Sequence, residues 1–125
     1  MNIKLINATL YGQIALSKIA VQIIATPIIQ RVRNINQLGA CSFVFPSATH
    51  TRFEHSIGVA YLAKEFLGAL VSNSDGLNVK EEDYLLVEIA GLCHDLGHGP
   101  FSHAFDNEIL KKVLSMVLFD KITKR

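Results

Sequence analysis

Tyr84-Leu85-Leu86-Val87-Glu88-Ile89-Ala90-Gly91-Leu92-Cys93-His94-Asp95-Leu96-Gly97-His98-Gly99-Pro100 is the stretch that decides the fold. Wound as a helix, Leu85, Leu86, Val87, Ile89, Ala90, Leu92 and Cys93 put apolar side chains on nearly every face, the pattern of a central helix. It ends in His94 and Asp95, and the cluster of Gly97, Gly99 and Pro100 stops it. Upstream, Val59, Leu62, Ala63, Phe66, Leu67 and Leu70 recur at helical spacing and predict a second helix from about Phe53 to Leu70. His55 lies four residues before Val59, on the same stripe. Further upstream, Thr26 can cap a helix that starts at Pro27, where a missing N–H costs nothing. Gly39 stands at its expected left-handed end, and Ile28, Val32 and Ile35 form its buried stripe. Downstream, Ser102 caps or begins a last helix through Phe119, and Phe43-Val44-Phe45 reads as a short extended piece. The expectation is one compact all-α domain over residues 1–125, with about five helices and at most one short extended segment.

Half of the 125 residues are hydrophobic, so one buried core is attainable without cross-links. Cys41 and Cys93 sit in apolar stretches without CxxC spacing, as reduced core thiols do. No apolar run approaches the roughly 18 residues of a membrane span, and no cleavable leader is visible. These features predict a soluble intracellular protein, cytoplasmic or nuclear, with no membrane partner. A formal net charge of +1 gives no polyanion-binding signal, so nucleic acid is not the expected partner. The basic residues between Lys111 and Arg125 read as a solvated helix face.

A buried charge is unfavourable unless it is paired or bound to metal, yet Asp95 ends the most apolar helix of the chain. His55 and His94 offer imidazole lone pairs and Asp95 a carboxylate, a mixed donor set suited to a divalent cation. His-Asp alone is a common dipeptide. Its context here, with His98 and His103 following across a glycine-rich break, is harder to ascribe to packing. That break leads into a helix start near Phe101, where free N–H groups and the helix dipole suit a phosphate. Arg52, three residues before His55, can donate to a phosphate oxygen or pair with Glu54. His98 and His103 are then acid or orienting groups, with Asp106 three residues on either fixing the His103 tautomer or facing solvent. Arg31, Arg33 and Gln37 can contact a nucleotide or face water; spacing does not separate the two.

Several runs carry a resemblance: Gln30-Arg31-Val32-Arg33, Gln37-Leu38-Gly39, Val44-Phe45-Pro46, His50-Thr51-Arg52-Phe53-Glu54-His55-Ser56, and Ala90 through His103. Together they resemble the HD-domain deoxynucleoside triphosphate triphosphohydrolases, most of all the SAM-and-HD-domain type, over about Lys4 to Asp106. The resemblance implies that His55, His94 and Asp95 ligate a divalent metal, whether Mg, Mn, Fe or Zn. It implies a dNTP or related nucleotide phosphate as substrate, split to deoxynucleoside and triphosphate. Arg52 would contact phosphate, His98 and His103 would be phosphate or catalytic groups, and Gln37 and Leu38 would meet the sugar. Gln30 and Arg33 would survive from a regulatory nucleotide site.

The departures from that family are specific. Its Asn-Asp-Pro-x-His-Gly motif is replaced by Asn7-Ala8-Thr9-Leu10-Tyr11-Gly12, and Ala25 stands where a guanine-reading Asp is expected. Asp106 passes through Asn107-Glu108-Ile109-Leu110 to Ser115-Met116-Val117-Leu118-Phe119, without the family's Trp-x-His-Glu segment. The family's further Asp ligand lies farther downstream than Arg125. The expectation is a truncated HD domain, an N-terminal part of the catalytic core. It works either as a phosphohydrolase whose fourth ligand is water, Asp120, Glu108 or another subunit, or as an impaired relative that binds metal or nucleotide. The chain is expected to assemble, as a homo-oligomer or with a full-length relative, and the impaired form would modulate that relative's activity.

Overall fold

Ile14 and Leu16 alternate along one face of an N-terminal strand and are fully buried. They belong to a hairpin in the computed structural model, which describes residues 4–98, 102 and 105–115. Strand β1, Lys4–Ala8, pairs antiparallel with β2, Gly12–Leu16, in a register that sets Ile6 opposite Ile14. Gly12 closes the three-residue loop with φ +69°, the left-handed residue such a loop requires. The molecule is therefore mainly helical with one small sheet. The hairpin is an addition to the all-α reading.

Ser17 caps helix α1, Lys18–Ile24, by accepting the Ala20 N–H at 3.1 Å. Helix α2 follows at Pro27–Arg31, with Pro27 in its first turn as the sequence predicts. It is shorter than expected: the chain tightens into a 3-10 turn at Val32–Asn34, and Gly39, φ +55°, starts a second such turn to Phe43. The shortening moves the buried stripe. Ile29 and Val32 enter the core, whereas Ile28 is exposed. The predicted extended piece at Phe43-Val44-Phe45 is also not extended, because the Gly39–Phe43 turn runs into it and both phenylalanines project to solvent.

Two long helices carry the fold. Helix α3 spans Arg52–Asn73 and is capped by Thr51, whose hydroxyl accepts the Glu54 N–H. Helix α4 spans Glu81–Cys93, its N-terminus closed by the Asp83 carboxylate accepting the Lys80 N–H at 2.8 Å. They run antiparallel: His55 meets His94, Ala60 meets Gly91, and Lys64 meets Glu88. Gly91 makes that approach close, since a Cβ there would lie 2.9 Å from the Ala60 Cα and 3.0 Å from the Val59 carbonyl oxygen. Leu92 of α4 packs with Phe53, Ile57 and Ala60 of α3 and with Ile14, Leu16, Ala20, Ile24, Ile29 and Val32 in one cluster. Helix α4 is not apolar to its partners on every side, as Leu86 is exposed and Glu88 is buried. Of the last predicted helix, residues 105–115 are helical, opening with a π-helical turn at Phe105–Leu110; its ends at 101, 103–104 and 116–119 lie outside the described residues. Among the described residues no helix is long and apolar enough to cross a membrane.

Candidate metal centre

An antiparallel helix pair places the first turn of α3 beside the last turn of α4. Arg52 and His55, three residues apart at the start of α3, share a face, and His94 and Asp95 leave the end of α4 toward them. One donor atom from each of His55, His94 and Asp95 falls within 4.8 Å of the others. His55 Nε2 is 3.2 Å from His94 Nε2. The Asp95 carboxylate presents Oδ1 to His94 Nε2 at 3.2 Å and Oδ2 to His55 Nε2 at 3.5 Å.

Protonation suits the same conclusion. The Gly91 carbonyl, 2.7 Å from His94 Nδ1, can only accept, so Nδ1 carries a proton and Nε2 is the nitrogen left to face a cation. Burial holds the His55 pKa below its ordinary value, with His94, His50 and Arg52 adding to the effect against the pull of Asp95. His55 is therefore a neutral base at pH 7. Burial alone would raise the Asp95 pKa, but His94, the Gln37 amide, His55 and His98 together hold it below the usual carboxylate range. Two imidazole nitrogens and one carboxylate then face one another.

Those distances fit a first-row or magnesium-sized cation. Ligand atoms about 2.1 Å from an ion, at tetrahedral to octahedral angles, lie roughly 3.0–3.4 Å from one another. The 3.2 Å contacts of His94 Nε2 with His55 Nε2 and with Asp95 Oδ1 fall in that range, and the 3.5 Å contact of His55 Nε2 with Asp95 Oδ2 lies just above it.

Asp95 is also a hub. Arg52 Nη1 lies 3.6 Å from its Oδ2, His98 Nε2 lies 3.3 Å from its Oδ1, and the Gln37 Nε2 donates to Oδ2 at 3.5 Å. Arg52 pairs with Asp95 and donates through Nη2 to the Ser102 hydroxyl; Glu54, the alternative partner, is not its contact here. Arg52 is 5% exposed, and its Nη1 has no hydrogen-bond acceptor among the described residues; neither has Gln37 Oε1 a donor. A buried guanidinium N–H without an acceptor beside a candidate cation site suits an anionic ligand such as a phosphate, whereas Gln37 Oε1 suits a ligand donor such as a hydroxyl. Ser102 holds a left-handed φ of +51°, a conformation that non-glycine residues adopt at a cost.

Gln37 reaches Asp95 because residues 35–37 pair with residues 50–52: Arg52 N–H donates to the Ile35 carbonyl at 2.9 Å and Gln37 N–H to that of His50 at 3.0 Å. Its neighbour Leu38 is exposed. Gln30 and Arg33 form a separate pair, in which Arg33 Nε donates to Gln30 Oε1 at 2.8 Å and the guanidinium lies 3.5 Å from the centre of the Phe53 ring. Gln30 also donates to the Ile24 carbonyl at 2.6 Å. His103 lies outside the described residues, as does Asp120, and Glu108 is exposed on the terminal helix. Sequence reasoning missed Ser102 as the partner of Arg52 and Gln37 as a partner of Asp95; no local pattern signals either.

The HD domain family matches this chain over residues 52–125. Deoxynucleoside triphosphate triphosphohydrolase SAMHD1 of Homo sapiens is 53% identical over 107 residues, covering 86% of this chain and 17% of that protein. The SAMHD1 homolog of Dictyostelium discoideum is 46% identical over 104 residues, 83% of this chain and 20% of that protein. The HD domain-containing protein L394 of Acanthamoeba polyphaga mimivirus is 42% identical over 123 residues, 88% of this chain and 27% of that protein. The chain spans less than a third of the length of each of these relatives.

Proposed function

Because this chain belongs to the HD-domain family, we propose that it is a dNTP triphosphohydrolase-type phosphohydrolase whose divalent cation is held by His55, His94 and Asp95. The single observation that carries this reading is the convergence of those three donors, with the His94 tautomer fixed by Gly91. The similarity to SAMHD1 triphosphohydrolases supports a deoxynucleoside triphosphate as the substrate class. When bound, a divalent cation would supply Lewis acidity and offset phosphate charge.

The chain's own residues do the rest. Arg52 is held through Nη2 by Ser102, and its Nη1, an ion-pair distance of 3.6 Å from Asp95 without a hydrogen bond to it, can donate to a phosphate oxygen and offset charge that builds on the phosphorus oxygens. Splitting dNTP into deoxynucleoside and triphosphate forms a bond from a water oxygen to the α-phosphorus and breaks that from the α-phosphorus to the 5′ oxygen, which leaves with a proton while the triphosphate keeps the water oxygen. His98, oriented by Asp95, and His103 are the groups we assign to phosphate contact and proton delivery. Gln37 and Leu38 are assigned to the sugar, and Gln30 with Arg33 to a weak regulatory nucleotide contact. The experiment is incubation of the purified chain with each of the four dNTPs and Mg, Mn or Fe, with chromatography of the products. Deoxynucleoside plus intact triphosphate supports the reading. No product from any dNTP with any metal overturns the hydrolase assignment.

An assembly reading has its own observation: Phe43, Val44 and Phe45 are contiguous and 91%, 73% and 61% exposed. That run fits packing against a second copy or a full-length relative. Light scattering and co-elution with such a relative test it; a monomer that co-elutes with nothing removes it.

A further inference from the structure

At the other end of the α3–α4 pair, the corner between β2 and α1 leaves a cavity of about 620 Å³, within the range of small-molecule sites. Its walls are mostly apolar, built from Leu16, Ile19, Tyr84 and Leu85. One carboxylate belongs to that wall. Glu88 of α4 is 0% exposed; its Oε1 accepts Lys64 Nζ at 3.0 Å and the Ser17 backbone N–H at 3.2 Å. Its Oε2 has no donor among the described residues. A carboxylate oxygen removed from water and left unpaired is unfavourable, and a ligand that brings a donor relieves it.

Charge selects the kind of donor. Glu81, Glu82 and Glu88 line the cavity against Lys18 and Lys64, so the wall carries an excess of negative charge. A second anion would meet that excess, and a neutral hydroxyl would leave it in place. An ammonium both donates to Oε2 and balances it, while an alkyl chain fills the apolar remainder.

We infer that this cavity is a binding site for a primary alkylammonium, its head on Glu88 and its chain against Leu16, Ile19, Tyr84 and Leu85. The site is separate from the His55–His94–Asp95 centre and does not depend on the reading of that centre. Neither Glu88 nor the cavity takes part in the proposed hydrolysis.

The test is titration of the full chain with hexylammonium, hexanol and hexanoate, followed by amide chemical shifts. Saturable shifts at Ser17, Lys64 and Glu88 are expected, with hexylammonium binding about tenfold tighter than hexanol and hexanoate weakest. Glu88→Gln keeps an acceptor for the Ser17 N–H and should bring hexylammonium and hexanol to parity. If that variant does not fold, Ala15→Trp, placed on the exposed side of β2 at the cavity, should abolish all binding by filling it. No saturable binding, equal binding of the three probes to the unaltered chain, or undiminished binding by Ala15→Trp would overturn the inference.

Discussion

His55 Nε2 and His94 Nε2 stand 3.2 Å apart across the junction of α3 and α4, with the Asp95 carboxylate facing both. The contact is not a local one, as the residues are 39 apart in sequence. It exists because Gly91, one turn before His94, lets α4 lie directly on the backbone of Ala60 in α3.

Gly91→Ala should therefore act on both stability and site. Its Cβ would meet main-chain atoms that cannot move aside, so a loss of about 1–3 kcal/mol is expected on denaturant unfolding. Forcing the helices apart also separates His55 from His94, so metal affinity should fall in the molecules that remain folded. Gly68→Ala is the matched control. Its Cβ would meet only the Tyr84 ring at 3.9 Å, and a gain of up to about 1 kcal/mol in helix propensity is expected.

Acidification should weaken the metal-free protein through the same residues. His55 has a folded pKa below 6.5, so the unfolded chain binds its proton more readily. The stability linked to His55 is complete above pH 6.5 and declines as pH falls toward the folded value. Asp95, also depressed, contributes stability that is complete above the unfolded carboxylate pKa and is lost as pH falls through its lower folded value. Denaturation between pH 7.5 and 5 should show a falling limb in the unaltered protein, and His55→Ala should flatten it. An identical slope in both would remove His55 as the cause.

Arg52→Lys should separate anion binding from cation binding. A lysine keeps the charge but cannot hold Asp95 and Ser102 while offering a further planar donor to phosphate. Affinity for inorganic tripolyphosphate should fall about tenfold by calorimetry, and metal affinity should change much less. Equal loss of both would mean that Arg52 serves only to place Asp95.

Loss of Leu92, fully buried between the helices and the hairpin, should cost about 2–5 kcal/mol as Leu92→Ala. The readout is the denaturation midpoint at pH 7.5. A change under about 1 kcal/mol would contradict the packing of α4 as the centre of the core.

Much of this was legible in the sequence where the signal is local. The α3 and α4 periodicities are long, and His55, His94 and Asp95 sit at their facing ends, so the helices and the donor set emerge together. The hairpin was hidden because Leu5 and Ile6 are adjacent, which breaks the alternation of β1, and its turn lacks an Asn-Gly pair. Helix α2 is shorter than the sequence predicts because nothing between Arg31 and Gly39 breaks it locally; the break comes from residues 35–37 pairing with 50–52. The same pairing delivers Gln37 to Asp95, a tertiary fact without a sequence signature. Glu88 interrupts an apolar helix, and its partner Lys64 lies a whole helix away.

The central claim is that His55, His94 and Asp95 form one cation site. Equilibrium dialysis of the purified, chelator-stripped chain against Mn, followed by elemental analysis, tests it most directly, with His94→Ala alongside. The predicted result is one ion per chain in the unaltered protein and loss of that ion in His94→Ala while both remain folded by circular dichroism. Absence of bound ion from the unaltered chain, or full occupancy in folded His94→Ala, would contradict it.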